Sequence, residues 1–250
     1  DDCSSRGLGD VYKRQTLVCA SYKGFEKISE LLDISLSKNF NLDLDGYLIT
    51  NGSPHLKFFK LVKIDKDEGW NKNLQKLLLQ IKTDYVLLWI DDLILKKPVD
   101  QNSFLNAFKR VIDNDLSCLW GHNVFSLKPK VFLSKLIHGD YRSPRGKYQF
   151  STMCSIYKKS VLLSLLSRTS SPWEFELLKD RALRVEATNF QLFDVSNVVI
   201  KGRIISNRMK MLQKRFNYYP TSFYLKNQTI REYIIWLLIV IGATLKGLLR

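Results

Sequence analysis

Apolar and polar positions alternate along the first hundred residues with two different periods. Residues 16–22 (TLVCASY) are a short apolar run that closes in polar residues, the pattern of a buried strand. Residues 25–40 then set Phe25, Ile28, Leu31, Leu32 and Leu36 at helical spacing. Residues 44–50 (LDGYLIT) read as a second strand, closed by the turn residues NGSP at 51–54. Residues 59–64 (FKLVKI) form a third, shorter strand. Residues 70–81 make an amphipathic helix with Trp70, Leu74, Leu77, Leu78 and Ile81 on one face. Residues 84–90 (DYVLLWI) are a fourth strand, more hydrophobic than the others. This β-α-β-β-α-β succession predicts an α/β, Rossmann-like domain with a mainly parallel sheet flanked by helices.

The second half is less regular. Residues 103–112 have helical spacing, and residues 116–125 suggest a strand with a turn. Residues 126–150 are mixed, basic and rich in turn formers. Residues 154–166 read as strand then helix. Residues 170–183 read as a loop entering a helix, with Pro172 in its first turn and Ser170 or Ser171 as the cap. There is no internal repeat and no low-complexity linker. The expected organisation is one domain over 16–205, followed by a helical extension over 206–250.

Charge changes the picture at the C-terminus. The 250-residue chain is 45% hydrophobic, 25% charged and carries +15, which is ordinary globular composition. Ten Lys and Arg against Glu232 put +9 of that charge in residues 201–250. Such a tail suits contact with a membrane surface, nucleic acid or a phosphate-bearing substrate, and it contains the apolar run YIIWLLIVIGATL at 233–245. That run is shorter than the roughly 20 residues a spanning helix needs. It predicts either a peripheral anchor or a helix packed on the domain. Cys3, Cys19, Cys118 and Cys154 form no CxxC pair, and the three histidines lack metal-ligand spacing. Neither a disulfide scaffold nor a structural zinc site is expected, and a reducing, cytoplasmic setting is.

Residues 5–15 (SRGLGDVYKRQ) resemble a translated sequencing-library adapter. The resemblance implies that residues 1–15 are not native and that the natural sequence begins near Thr16.

The chemistry centres on one stretch, DYVLLWIDDLIL at 84–95, where a strand of buried character ends in Asp91 and Asp92. Burying one unpaired carboxylate is costly, and two side by side more so. In open α/β sheets ligands bind beyond the carboxyl ends of the strands. A hard divalent ion such as Mg²⁺ or Mn²⁺, held by one or two carboxylates and substrate phosphates, answers the charge problem. A helix cap or a solvated turn answers it too.

The context resembles a family. WNKNLQKLLLQIKTDYVLLWIDDLILKKPVD (70–100), IYKKSVLLSLL (156–166), SPWEFE (171–176) and VIKGR (199–203) are similar, in order and spacing, to blocks of bacterial-type, family-2-like glycosyltransferases of the GT-A fold. Leu93 stands where that family tends to have an aromatic, and Met153 where it often has Gln. The resemblance implies metal-assisted, inverting transfer of a sugar from a nucleotide-diphosphate sugar to a glycan or lipid-linked acceptor. It implies Asp91 and Asp92 as metal ligands, Asp92 the more direct, with Mn²⁺ or Mg²⁺. It implies Ser21, Tyr22, Asn73, Asp91, Lys201 and Arg203 around the nucleotide sugar. Trp173 would stack on the acceptor. Glu174 or Glu176 would be the general base, with Glu174 nearer the loop and slightly favoured.

Two rivals come from other classes. Trp89-Ile90-Asp91-Asp92 also resembles the aromatic-x-Asp-Asp hairpin of palm polymerases and reverse transcriptases. That reading needs a second metal-binding carboxylate, and Asp43 and Asp45 are the only offers. The chain is also short for fingers and thumb, so nucleic acid is not the expected partner. The other rival is a non-catalytic basic binding module.

Overall fold

In the computed structural model the described residues are 15–121, 140–144, 148–200 and 203–220, without the side chains of Ile200 and Arg203. The strands are β1 (Gln15–Ala20), β2 (Asp45–Thr50), β3 (Phe59–Lys63), β4 (Tyr85–Ile90), β5 (Leu93–Leu95) and β6 (Cys118–Trp120). They continue with β7 (Tyr141–Arg142), β8 (Ser155–Lys158), β9 (Val185–Thr188), β10 (Val195–Asn197), β11 (Val199–Ile200) and β12 (Arg203–Ile204). The helices are α1 (Glu26–Asn39), α2 (Trp70–Gln80), α3 (Gln101–Asp113), α4 (Lys159–Ser167), α5 (Pro172–Leu177) and α6 (Ser206–Phe216). The chain divides into two compact units between Ser196 and Asn197, whereas the sequence placed a boundary at 205/206.

The first unit is built on a mixed sheet of order β3-β2-β1-β4-β8-β6-β9-β7. The predicted β-α-β-β-α-β block forms its parallel half, with β2 and β4 flanking β1 and β3 outside β2. β8 enters antiparallel between β4 and β6, and β9 returns parallel to β6. Strands β5, β7 and β9 were not anticipated. They are only two to four residues long, too short to show a period. Conversely α5 ends at Leu177, well before residue 183.

The apolar run of β4 is continuous because both of its faces are covered. Val86 and Leu88 point into a core cluster with Leu74 and Leu77 of α2 and Leu162 and Leu165 of α4. On the opposite face the Tyr85 ring lies 5.3 Å from Phe108 of α3. Trp89 lies 5.3 Å from Phe193 and 6.4 Å from Phe40, just past α1. Two helices start at side-chain caps. Asp100 caps α3 by accepting from Ser103 N–H at 2.7 Å. Ser171 caps α5, accepting from Glu174 N–H with Pro172 in the first turn, as its sequence predicted.

The second unit contains the β11–β12 hairpin, with Val199 opposite Ile204, and α6, which buries Met209, Leu212 and Phe216. Asn217 ends α6 in the left-handed region at φ 52°. Among the described residues no helix is long and apolar enough to cross a membrane; the run at 233–245 lies outside them. Residues 1–14 also lie outside, but Gln15, the last residue of the adapter-like string, is buried in β1 opposite Tyr85.

Candidate functional site

β1 and β4 are parallel neighbours, and from β1 the chain moves first to β2 on one side and later to β4 on the other. That is a topological switch point, where loops part and leave a crevice. The last register pair is Ala20 opposite Ile90. Ser21-Tyr22 and Asp91-Asp92 therefore leave the sheet side by side. The loop after β1 is held by Ser21 N–H donating to the Ile49 carbonyl at 2.9 Å. It turns at Gly24, whose φ of 101° favours glycine. The loop after β4 is closed by Trp89 Nε1–H donating to the Leu93 carbonyl at 2.8 Å.

The two aspartates are held differently. Asp91 is buried and accepts from Ser21 Oγ at 2.5 Å, while Ser29 of α1 donates to Ser21 Oγ at 2.9 Å. Burial lifts the Asp91 carboxyl to about 6, although Ser21 and the N–H groups of Asp91 and Asp92 pull it down. Burial and then the Asp91 charge lift Asp92 to about 8, against a smaller pull from its own N–H. Asp92 Oδ1 is sealed from solvent with no hydrogen-bond partner among the described residues. Near neutral pH this arrangement favours a proton or a cation at Asp92. The field spreads to its neighbours. Burial and the two aspartates push the Tyr22 hydroxyl up to about 12. Burial and Asp92 raise the Cys154 thiol.

Tyr22 is 45% exposed and lies with its ring 4.2 Å from Phe25. Asn73 also lies at this end of the sheet, in the first turn of α2, but its side chain is engaged locally. Its Nδ2 donates to Asp67 at 2.7 Å, and its Oδ1 accepts from Glu68 N–H at 3.3 Å. Glu174 is exposed, and its Oε2 accepts from the N–H and hydroxyl of Ser170 at 2.8 and 2.6 Å. Those bonds hold its carboxyl below the usual range. Glu176 reaches the other way: its Oε1 accepts from Thr152 Oγ1 at 2.8 Å and Thr152 N–H at 3.2 Å. Thr152 precedes β8, whose Ser155 is paired with Leu88 of β4, so Glu176 is tied to the segment beside the Asp pair. Trp173 is 73% exposed. Lys201 lies outside the described residues, as does the side chain of Arg203.

Three participants were not singled out from the sequence: Ser29, Thr152 and Gly121. A Cβ on Gly121 would lie 2.7 Å from the Cys154 carbonyl and 2.6 Å from Phe193, so only glycine lets β6 approach there. The signal for Ser29 is weak but present, a serine on the buried face of α1.

Among the described residues no group of three or more His, Cys, Asp and Glu is placed to hold a metal. Two adjacent carboxylates with one orphaned buried oxygen still fit a hard divalent ion that takes its remaining ligands from water and substrate phosphates. The polymerase expectation fails on position. Asp45 stands opposite Thr16 at the far end of β1, about 16 Å back along the strands from the Asp pair at ~3.3 Å per residue. It is exposed and paired with Lys60 at 2.6 Å. Asp43 lies before β2 and is exposed.

No known family description matches the chain, and no curated protein matches its sequence. Solved structures do resemble it. Residues 1–349 of S. aureus TarS are 13% identical with a TM-score of 0.45, covering 72% of this chain and 59% of that one. The mannosyltransferase PcManGT from Pyrobaculum calidifontis, in complex with GDP-Man and Mn²⁺, is 13% identical with a TM-score of 0.43, covering 76% and 58%. The glycosyltransferase GlyE of Streptococcus pneumoniae TIGR4 is 12% identical with a TM-score of 0.40, covering 64% and 40%. The chain thus spans less than two thirds of the length of each.

Proposed function

We propose that the chain transfers a sugar from a nucleotide-diphosphate sugar to an acceptor hydroxyl on a glycan or lipid-linked acceptor, with inversion. The observation that carries this reading is the pairing of buried Asp91 with half-buried Asp92 at the β1/β4 switch point, where Asp92 Oδ1 is sealed from solvent without a partner among the described residues. The sequence blocks at 70–100, 156–166 and 171–176 support the same reading.

Asp92, with Asp91 behind it, would hold Mn²⁺ or Mg²⁺. A bound ion supplies electrostatic stabilisation of the departing diphosphate. The chain's own residues do the rest. Ser21, braced by Ser29, holds the Asp91 carboxylate in one orientation. The exposed Tyr22 ring offers an apolar face beside the pair. Trp173 presents an exposed ring to an acceptor sugar. Glu176 is the better general base, because Glu174 is occupied by Ser170 in solvent while Glu176 is braced by Thr152. Thr152 holds the Glu176 carboxylate in one orientation to take the proton from the acceptor hydroxyl. Lys201 and Arg203 are kept as diphosphate contacts, since Arg grips phosphate at two points. The basic residues of 201–250 are kept as a peripheral contact with the inner face of the membrane.

The test is a thermal-shift panel of UDP-, GDP-, CMP- and dTDP-sugars with and without Mn²⁺. Stabilisation by one nucleotide, dependent on Mn²⁺ and lost in Asp92→Asn, is the expected result. No shift with any nucleotide sugar refutes the proposal.

A further inference from the structure

A second site lies at the other edge of the sheet. A cavity of about 730 Å³ is lined by Ser143, Gln149, Lys179, Arg181, Arg184 and Glu186, among others. Its floor is the start of β9, where Val185 faces Cys118 of β6, Cys118 faces Tyr157 of β8, and Tyr157 faces Val86 of β4. The floor is therefore level with Val86. It stands about 16 Å back along the strands from Asp91 at ~3.3 Å per residue, and about 14 Å across at ~4.8 Å per strand.

The walls are held firmly. Gln149 clamps the loop at Asp180 through two bonds, Nε2–H to the Asp180 carbonyl at 2.7 Å and Asp180 N–H to Oε1 at 2.9 Å. The Arg184 carbonyl accepts from Ser117 N–H at 2.8 Å. The acids around the cavity are already matched. Glu186 is bound at two points by Arg110, at 2.5 and 3.1 Å. Asp180 pairs with Arg168 at 2.9 Å. Asp115, whose carboxyl also feels Arg184, pairs with Lys158 at 2.8 Å. Arg181 and Arg184 form no ion pair among the described residues and set the sign of the cavity.

We propose that this cavity binds a phosphate-bearing group through Arg181 and Arg184. Two guanidinium forks on a braced rim match phosphate oxygens. The volume exceeds one phosphate and has room for the sugar or headgroup that carries it. The site is separate from the Asp pair and independent of the transferase reading. Its ligand is a phosphorylated soluble glycan or a phospholipid headgroup.

The test uses the full chain in EDTA, which removes metal-assisted phosphate binding at the Asp pair. Inorganic phosphate is titrated by phosphorus NMR, and flotation is measured on phosphatidylcholine vesicles with and without phosphatidylglycerol. Arg181 and Arg184 are exposed, so the Arg181→Ser/Arg184→Ser variant is expected to melt as the wild type does, and each single variant to lose part of the effect. Phosphate binding that weakens about tenfold or more in the double variant and persists in Asp92→Asn supports a soluble ligand. Flotation that needs phosphatidylglycerol and both arginines supports a headgroup. No binding of either probe, or binding that survives the double variant, overturns the proposal. So does binding lost in Asp92→Asn alone.

Discussion

The Asp92 carboxyl offers a test that needs no substrate. Its pKa rises from 3.8 to about 8 on folding. A carboxyl raised in this way stays neutral in the folded chain while the unfolded chain has already ionised. Folding therefore takes up a proton, and stability falls as pH climbs from about 4 until it passes about 8. Asp92→Asn keeps the size and shape of the side chain and removes its charge, so it escapes this loss. At pH 5 the wild-type penalty from this group is about 2 kcal/mol, and at pH 8.5 about 5–6 kcal/mol. The advantage of the variant should thus grow by about 4 kcal/mol between those two pH values, whatever hydrogen bonds the new amide makes. At about 2–4 °C per kcal/mol for a chain of this size, that is roughly 10 °C in Tm. The assay is a pair of thermal melts in EDTA at pH 5, 7 and 8.5. A Tm difference that stays constant, or narrows as pH rises, would refute the account of the pair.

Ser21→Ala removes the donor at 2.5 Å from Asp91 and leaves a buried oxygen short of a partner; melts at pH 8 should show a loss of about 1–3 kcal/mol. Gly121→Ala sets a methyl group against the Cys154 carbonyl and should cost about 1–3 kcal/mol in denaturant unfolding, with little change in the m-value. Glu176→Gln should lower kcat by about 10²-fold or more in a transfer assay. Glu174→Gln should leave kcat within a few-fold, and the opposite order would return the base role to Glu174.

The local elements of the first half were legible in the sequence. α1, α2, β1, β2, β3 and β4 fall within a residue or two of their predicted limits. Hydrophobic period, capping residues and turn formers act over a few positions, so a one-dimensional pattern records them. The Asp91-Asp92 pair was visible for the same reason, as charge where the pattern called for apolar residues. Which residues meet that pair was another matter. Glu174 and Glu176 are two positions apart on one short helix; Glu174 bonds back to Ser170 four residues earlier, a local contact, whereas only tertiary packing brings Glu176 to Thr152. Asn73 looks available in the sequence, but in the fold Asp67 and Glu68 engage it. Asp45 looks near Asp91 in chemistry, yet the parallel register sends it to the far end of the sheet. The antiparallel entry of β8 and the cavity rimmed by Arg181 and Arg184 depend on partners far apart along the chain. The sequence by itself determined the charges and the longer helices and strands of the first half; the short strands and the strand pairing were decided only by the tertiary structure, because they arise from long-range contacts that no local period encodes.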